Sequence, residues 1–355
     1  MAPVARTLGR ASTTGRGRVV CGRKFALRTG ADCADTWTPL AEQGIVIDTR
    51  DLRPIVIIAF AALGLAIRTV GAQQVVDTTF KPTLRSRTYP PGSGPVVIID
   101  EAHHNMHTAQ GRYRPFASLL EADGFTVESG RDPITAVSLK GADILVIANA
   151  LSARDAAAAF DSTEITALVS WVRQGGALLL IADHMPFAGA AMSLAAPFGI
   201  QFANGFALLG EADPRTGDYP ITFRRRDGGL AQHAITSGRS TAERIDSIVS
   251  FTGSAFRFTS PDGRAIMTLP KGTRLELPIV AWRFSDTTRR ISGEGWLQGG
   301  TVTFGRGRVA VFGEAAMFSA QRKGAQRTPM GMNAPEAAQN PQFVLNVLHW
   351  LAGRP

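Results

Sequence analysis

The stretch GGALLLIADH, residues 175–184, is the clearest indication of the fold of this chain. Two glycines end a segment of helical spacing, residues 177–182 follow without a polar interruption, and Asp183 and His184 come next. An unbroken apolar run is typical of a central strand in a parallel sheet, because both faces of such a strand are covered. The stretch therefore predicts a buried parallel strand with a polar pair at its carboxyl end.

Three other apolar runs end in polar residues in the same way. Residues 96–99 lead into a cluster of acids and histidines, residues 144–148 lead into Asn149, and residues 309–313 lead into Glu314. In an open α/β sheet, ligands bind in the crevice outside the carboxyl ends of the strands. We therefore expect these polar groups to converge on one crevice.

The segments between these runs predict an α/β fold. Apolar spacing indicates helices near residues 113–122, 163–174, 189–196 and 340–352, and strands near residues 96–100, 125–128, 143–148, 177–182 and 309–313. Strands that alternate with helices imply a doubly wound, mostly parallel sheet. Between residues 199 and 300 the apolar runs are short, at 221–223, 245–251, 265–269 and 279–284, and this texture predicts a β-rich insertion of antiparallel hairpins.

The region before residue 95 lacks the pattern of a folded domain. Residues 1–45 are rich in Arg, Gly and Thr, which suggests a non-native or disordered extension, with a transit peptide as the alternative. Residues 46–72 contain an apolar run at 55–67, preceded by arginines and followed by small residues, which is the form of a secretory signal peptide. Residues 73–94 are polar and proline-containing, as in a linker. This organisation leaves residues 95–353 as the domain.

These features predict a periplasmic or secreted protein with no stable membrane span in its mature form. The apolar run is short for a span, which needs about 20 apolar residues. The alternative is an uncleaved segment that anchors the protein to the membrane.

Charge and cysteine content exclude several classes of function for the mature part. The chain has a net charge of +9, but the residues after 72 carry 28 Lys and Arg against 24 Asp and Glu. With a single dense basic run at 224–226, this balance does not predict a nucleic-acid partner. Both cysteines, Cys21 and Cys33, precede the predicted cleavage site. A disulfide scaffold, a thiolate zinc site and a cysteine nucleophile are therefore excluded after cleavage.

The segment after the first strand holds the highest density of possible ligating groups. Histidine and carboxylate side chains are common zinc ligands, although the helical His-Glu-x-x-His spacing is absent. We expect His103, His107 and Asp183 to form a metal set, with a divalent metal ion as the candidate cofactor. The alternative is that these side chains cap helices and bond to the backbone. The expected ligand-binding residues are Asp100, Glu101, His103, His104, Asn105, His107, Arg112 and Asn149.

Asp183, His184 and Glu314 are the candidate catalytic residues. A side chain at a sharp strand-to-helix turn is held at the top of the sheet, as in a nucleophile elbow. A crowded carboxylate such as Glu314 gains a raised pKa that suits a general base. The alternatives are that Asp183 caps the next helix and that Glu314 interacts with a helix dipole.

Several motifs together carry a resemblance to a known superfamily. They are Asp-x-x-His-x-Asn at 100–105, LKGADILVI at 139–147, WVRQGG at 171–176, LLLIAD at 178–183, GRGRVAVFGE at 305–314 and Asn-x-x-x-Trp-Leu at 346–351. This combination resembles a bacterial family of the class I glutamine amidotransferase-like superfamily, near the GIFT (gliding-motility and intraflagellar-transport) domains and the ThuA-like proteins. The resemblance covers about residues 95–353 and implies a flavodoxin-like three-layer sandwich.

The resemblance does not extend to the nucleophile. Amidotransferases place a cysteine in the turn that matches residues 181–184, where this chain has Asp183. A carboxylate does not form the glutamyl thioester, so we expect no glutaminase activity. Three functions stay open: binding of a small polar ligand, such as carbohydrate or cell-envelope material, at the carboxyl edge of the sheet; metal-dependent or acid/base hydrolysis by the Asp, His and Glu cluster; and assembly of the cell envelope with a protein partner.

Overall fold

The computed structural model describes residues 74–84, 86–153, 158–213 and 219–353. The predicted extension and signal peptide at residues 1–72 lie outside this part of the chain. The strands are β1 (Val75–Val76), β2 (Val96–Asp100), β3 (Thr126–Gly130), β4 (Ile144–Ala148), β5 (Ala177–Ile181), β6 (Ile200–Ala203), β7 (Phe206–Leu209), β8 (Ile221–Arg224), β9 (Ser247–Ser250), β10 (Ala255–Phe258), β11 (Gly263–Thr268), β12 (Thr273–Leu277), β13 (Arg289–Ser292), β14 (Leu297–Phe304), β15 (Gly307–Phe312), β16 (Ala320–Lys323) and β17 (Thr328–Gly331). The helices are α1 (Arg114–Asp123), α2 (Ser162–Arg173), α3 (Phe187–Ala195), α4 (Ala234–Ser237) and α5 (Asn340–Leu351), with 3-10 turns at Ala196–Phe198, Thr241–Glu243, Ala316–Phe318 and Pro335–Ala337.

A mixed sheet that contains nine of these strands organises the fold. Strands β3, β2, β4, β5 and β15 lie side by side in that order and are parallel. Counted along the chain, this is the 2-1-3-4-5 order of flavodoxin-like sheets. Antiparallel strands β14, β10 and β6 extend the sheet beyond β15, and β11 also pairs with β14. The predicted α/β class is confirmed, but the sheet is mixed and not mostly parallel, since four of its eight strand pairs are antiparallel.

The central strand β5 is buried on both faces, as its uninterrupted apolar sequence predicts. Leu179 and Ile181 pack into one core cluster with side chains of α1 and α5, whereas Leu178 and Leu180 pack into a second cluster with side chains of α2 and α3. Successive side chains of a strand point to opposite faces, so the apolar run supplies both clusters. Burial of each such leucine stabilises the fold by roughly 1.5–3 kcal/mol.

Helix α2 begins and ends where the sequence predicts. Asp161 is its N-cap and accepts hydrogen bonds from the backbone N–H groups of Thr163 and Glu164, while the Glu164 carboxylate accepts one from the N–H of Asp161. This reciprocal capping box satisfies donors that the first helical turn leaves free. After the last turn, Gly175 adopts a φ of 123°, which favours glycine and ends the helix.

The β-rich elaboration at residues 199–300 differs from its prediction at one place. The apolar run 279–284 is a loop and not a strand, and Ile279 is 96% exposed. Pro278, which precedes it, donates no ladder hydrogen bond, and Trp282 has a φ of 65°, outside the range of a strand. The neighbouring strand ends earlier, at Leu277.

The described part of the predicted linker packs against the domain. Strand β1 pairs with β16, and Tyr89 is buried beside Phe125 with ring centroids 5.0 Å apart. Among the helices described here, none is both long and apolar enough to cross a membrane.

Candidate functional site

A cavity of about 620 Å³ opens at the carboxyl ends of β4 and β5, beside the segment that follows β15. Part of its wall is apolar and aromatic, with contributions from Met106, Leu151, Phe187 and Trp282. The polar side chains on its lining that matter most below are His107, Arg112, Asn149, Asp183, His184 and Gln321. The cavity therefore lies at the edge of the sheet where the sequence predicts a ligand crevice.

Asn149 connects the ends of β4 and β5 to the loop after β2. Its φ is 51°, a left-handed conformation that asparagine adopts more readily than most residues. Its side-chain oxygen accepts a hydrogen bond from the N–H of Asp183 at 2.9 Å, and its amide nitrogen lies 3.3 Å from Nδ1 of His107. The side chain is thus engaged by protein groups on both sides, and its main effect is to orient His107 and Asp183.

His107 is neutral at physiological pH and presents a donor. The ring is buried, and this burial, together with the charges of Arg112 and His184, lowers the pKa of His107 to about 3. Since Asn149 donates to Nδ1, the proton of the neutral ring resides on Nε2. No described residue accepts that proton, so the Nε2–H is free for a ligand.

Asp183 is held by donors around its own turn. One carboxylate oxygen accepts hydrogen bonds from the N–H of His184 at 2.7 Å and from the Thr252 hydroxyl at 3.1 Å. The other oxygen accepts a longer hydrogen bond from the N–H of Ala315 at 3.4 Å. These contacts tie the turn after β5 to the segments after β9 and β15. Asp183 lines the cavity, but most of its accepting capacity is used by the protein.

His184 presents an acceptor from within an aromatic wall. Its Nδ1 lies 2.8 Å from the carbonyl oxygen of Met185 and therefore donates, which leaves Nε2 with a lone pair when the ring is neutral. The ring stacks on Phe206 with centroids 4.8 Å apart and meets Trp282 edge-on at 4.6 Å. These contacts fix the orientation of an accepting nitrogen on the cavity lining.

Arg112 and Gln321 bring polar groups that the described protein does not pair. Arg112 is half-buried. Burial lowers the pKa of its guanidinium, and the negative charge of Asp183 offsets part of this decrease. Within the described ranges, no ion pair or hydrogen bond engages that guanidinium. Gln321 is 1% exposed, and its Oε1 has no hydrogen-bond partner among the described groups. Both side chains line the same cavity.

Asp100 and His103 form a separate buried cluster with Glu164. Nδ1 of His103 lies 2.9 Å from each carboxylate oxygen of Asp100, and Nε2 lies 2.8 Å from Oε1 of Glu164. Burial alone would lower the pKa of His103, but the hydrogen bonds and charges of the two carboxylates outweigh it and raise that pKa. A ring that donates from both nitrogens has no lone pair for a metal.

Glu101, His104 and Asn105 also lie outside the cavity lining. Glu101 accepts hydrogen bonds from a backbone N–H and a serine hydroxyl of neighbouring segments. His104 is exposed with a φ of 45°, and Asn105 bonds to both Asp100 and the N–H of His103. These contacts match the alternative in which the segment caps and braces its own loop.

Glu314 is buried behind the cavity. Its two carboxylate oxygens accept hydrogen bonds from the N–H groups of Ala316 at 2.8 Å and Met317 at 2.7 Å, so it caps the turn Ala316–Phe318. Burial and the nearby charge of Asp183 raise the pKa of Glu314 well above its ordinary value. Since the residue is fully buried and does not line the cavity, no ligand in this cavity contacts its carboxylate directly.

The predicted metal set is not assembled. In the part of the chain that the structure describes, no group of three or more His, Cys, Asp or Glu side chains is arranged to hold a metal ion. His103 is enclosed by Asp100 and Glu164, whereas His107 and Asp183 face the cavity. The structure thus gives no support to a divalent metal cofactor at these three residues.

Thr252, Trp282 and Gln321 line the cavity but are not among the residues that the sequence predicts for the site. Thr252 follows β9 by two residues, but β9 pairs with β8 in an antiparallel sheet, so the rule for the ends of parallel strands does not apply to it. Trp282 was assigned to a strand, and its aromatic side chain in a proline-flanked loop was the available signal. Gln321 lies within β16, and nothing in its sequence context marks it.

Comparisons with known proteins bear on the fold. No protein-family model and no curated protein sequence matches this chain. Among solved structures, the mmIFT52 N-terminal domain is 15% identical, with 72% of this chain and 97% of that domain covered and a TM-score of 0.50. A ThuA-like protein from Bacteroides uniformis is 10% identical, with 76% and 95% covered and a TM-score of 0.40, and a β-galactosidase from Bacillus circulans is 9% identical, with 73% and 31% covered and a TM-score of 0.38. At these identities, the similarity to the first structure concerns the fold alone.

Proposed function

We propose that this protein binds a small polar ligand of the carbohydrate class in the cavity at the carboxyl edge of its sheet. The observation that carries the proposal is the set of unpaired polar groups on one cavity wall. The described protein leaves the Nε2–H of His107, the Nε2 lone pair of His184 and Oε1 of Gln321 without partners, although His107 and Gln321 are almost fully buried. Buried polar groups without partners are costly, so a ligand that pairs with them gains affinity.

The aromatic residues favour a sugar among polar ligands. Sugars offer hydroxyl donors and acceptors around an apolar ring face, and an aromatic ring packs against such a face. Trp282 is 45% exposed at the cavity, where it contacts His184 and Phe206. A volume of about 620 Å³ also falls within the roughly 300–1,000 Å³ range of small-molecule sites.

Binding is favoured over hydrolysis by the state of the candidate acids and bases. Glu314 is engaged by two backbone N–H groups, and Asp183 by the donors around its turn. His184 is the remaining member of the predicted catalytic set with a free lone pair. A single imidazole does not supply the two groups that acid/base hydrolysis requires.

The proposal extends to the fold family and to export. We infer a class I glutamine amidotransferase-like, three-layer domain without amidotransferase activity, supported by the 2-1-3-4-5 strand order and by the packing of helices against both faces of β5. The apolar run at residues 55–67 supports secretion to the periplasm or beyond. N-terminal sequencing of protein from its host should begin near Gln73, and recovery of residues 1–45 in cytoplasmic protein would contradict export.

The binding proposal is tested by thermal shift and calorimetry on the purified protein. A panel of neutral monosaccharides, disaccharides and sugar acids is compared for wild type, Trp282→Ala and the control Val137→Ala, which alters an apolar residue that is 81% exposed and outside the cavity lining. A ligand at a hundredfold excess over its dissociation constant stabilises the protein by about 2.7 kcal/mol.

We expect at least one sugar to bind wild type and the control equally and Trp282→Ala at least tenfold more weakly. Absence of binding to every member of the panel at millimolar concentration would refute the proposal. If Trp282→Ala binds the sugar as tightly as wild type, the ligand binds at a different surface of the protein and not in this cavity.

A further inference from the structure

The two charged side chains on the cavity lining differ in how many hydrogen bonds the protein makes to them. Arg112 is the lining residue with a guanidinium side chain, and Asp183 is the one with a carboxyl side chain. Asp183 accepts three hydrogen bonds from the protein, whereas the guanidinium of Arg112 has no partner among the described residues. A half-buried cation without a partner is an uncommon arrangement, because desolvation costs free energy that only a partner returns.

The surroundings of Arg112 supply further donors and positive potential. His107, on the same wall, presents an Nε2–H. Helix α3 begins at the cavity, with Pro186 and Phe187 on the lining, and it has neither a side-chain cap nor an acidic residue in its first turn. An uncapped helix N-terminus favours negative charge. The cationic side chain, the neutral donor and the helix terminus thus all favour an anionic group.

We propose that the ligand of this cavity is a sugar acid whose carboxylate binds the guanidinium of Arg112. The proposal rests on the carbohydrate function proposed above and narrows its ligand class. Arginine presents a planar fork of donors that matches a carboxylate in two parallel hydrogen bonds. The accepting atoms, Nε2 of His184 and Oε1 of Gln321, then take hydrogen bonds from hydroxyl groups of the same sugar.

A carboxylate fits this wall better than a phosphate. A phosphate monoester carries a charge of about −1.5 to −2 at pH 7, whereas Arg112 is a single cation and Asp183 contributes a negative charge to the same cavity. With Arg112 and Asp183, one carboxylate leaves a net charge of about −1 in the cavity, whereas a phosphate monoester leaves about −1.5 to −2. A hexuronic acid provides this single charge on a ring that packs against Trp282.

Matched ligand pairs test this inference by isothermal titration calorimetry. Glucuronate is compared with glucose, galacturonate with galactose, and glucose 6-phosphate serves as the phosphate arm. The proteins are wild type, Arg112→Gln, Arg112→Lys and the control Arg131→Gln, in which a 75% exposed side chain outside the cavity loses its charge. Thermal unfolding first verifies that each variant is folded. If Arg112→Gln is not folded, the comparison is made with Arg112→Lys.

We expect wild type and Arg131→Gln to bind a uronate at least tenfold more tightly than its neutral partner. Arg112→Gln should remove this preference and keep the affinity for the neutral sugar, and Arg112→Lys should retain only part of it, since lysine keeps the charge without the fork. Equal affinity of wild type for both members of each pair, an unchanged preference in Arg112→Gln, or tighter binding of glucose 6-phosphate would overturn the sugar-acid inference while the carbohydrate function stands. Failure of all sugars to bind would instead overturn the proposed function itself.

Discussion

Acid should destabilise this protein through one buried imidazole, that of His107. The ring is 3% exposed, and its Nδ1 accepts a hydrogen bond from the Asn149 amide, which a protonated ring would lose. Burial first, and then the charges of Arg112 and His184, lower the pKa of His107 from 6.5 to about 3. The folded protein therefore resists a proton that the unfolded chain accepts readily.

The sign and size of the effect follow from proton linkage. Between about pH 6.5 and pH 3 the unfolded state binds more protons at this residue than the folded state, so the free energy of unfolding falls as the pH falls. Each pH unit within the window corresponds to about 1.4 kcal/mol. On going from pH 7 to pH 5, His107 should remove about 2 kcal/mol of stability.

His103 acts in the opposite direction. Its raised pKa makes the folded state bind the proton more tightly, so its contribution is present below the unfolded pKa and is lost as the pH rises through the folded value. The comparison must therefore be made between variants and not on wild type alone.

The assay is urea denaturation of wild type and His107→Gln at pH 7 and pH 5. Glutamine does not titrate, and its oxygen can still accept from Asn149. We expect wild type to lose about 2 kcal/mol more than His107→Gln over this interval, with His104→Gln, at an exposed imidazole, as the control for loss of a histidine. If wild type and His107→Gln lose the same stability within about 0.5 kcal/mol, the reasoning about His107 is refuted.

Two further predictions concern residues that hold the fold and not the ligand. Glu164→Ala should cost about 3 kcal/mol or more because three donors lose their acceptor, against about 1 kcal/mol for Asp161→Ala, which removes only the helix cap; equal losses in urea titrations would argue against the buried cluster. Gly307→Ala places a Cβ 2.0 Å from the carbonyl oxygen of Val172 and should cost about 3 kcal/mol, whereas Gly229→Ala, with its nearest neighbour at 3.6 Å, should cost much less. A Gly307→Ala protein as stable as wild type would show that the backbone around Val172 shifts to accommodate the added Cβ at little cost in free energy.

The sequence predicts the parallel half of the fold because its signals are local. The unbroken apolar run of β5 requires cover on both faces, and the two glycines at 175–176 end α2 at the expected position. In the β-rich elaboration the strands are short and pair with segments far away in the sequence, so the local pattern is a weaker predictor of strands there. Residues 279–284 show this limit, since an apolar run without a partner strand became a loop.

For the site, local pattern predicts position but not availability. Asp100 and Asp183 have the same sequence context, an acid at the end of an apolar strand, and the structure gives them different surroundings. Asp100 is paired with His103, which Glu164 holds from 61 residues away. Nothing in the sequence of residues 96–104 predicts that Glu164 contacts His103. Which strand-end acid reaches the cavity therefore depends on contacts that only the folded chain makes.

The same competition decides which polar groups remain for a ligand. Each strand end delivers donors and acceptors to the carboxyl edge, and the protein satisfies most of them itself: Glu314 binds two backbone N–H groups, and Asp183 takes three donors. Among the described residues, the groups that stay unpaired at this edge include a neutral imidazole N–H, an imidazole lone pair, an amide oxygen and one guanidinium. None of these four side chains is a strand-end acid: three lie in the segments after β2 and β5, and Gln321 lies within β16. A ligand that fits this wall must therefore supply what the protein withholds, which is hydroxyl donors for the two acceptors and an acceptor of negative charge for Arg112.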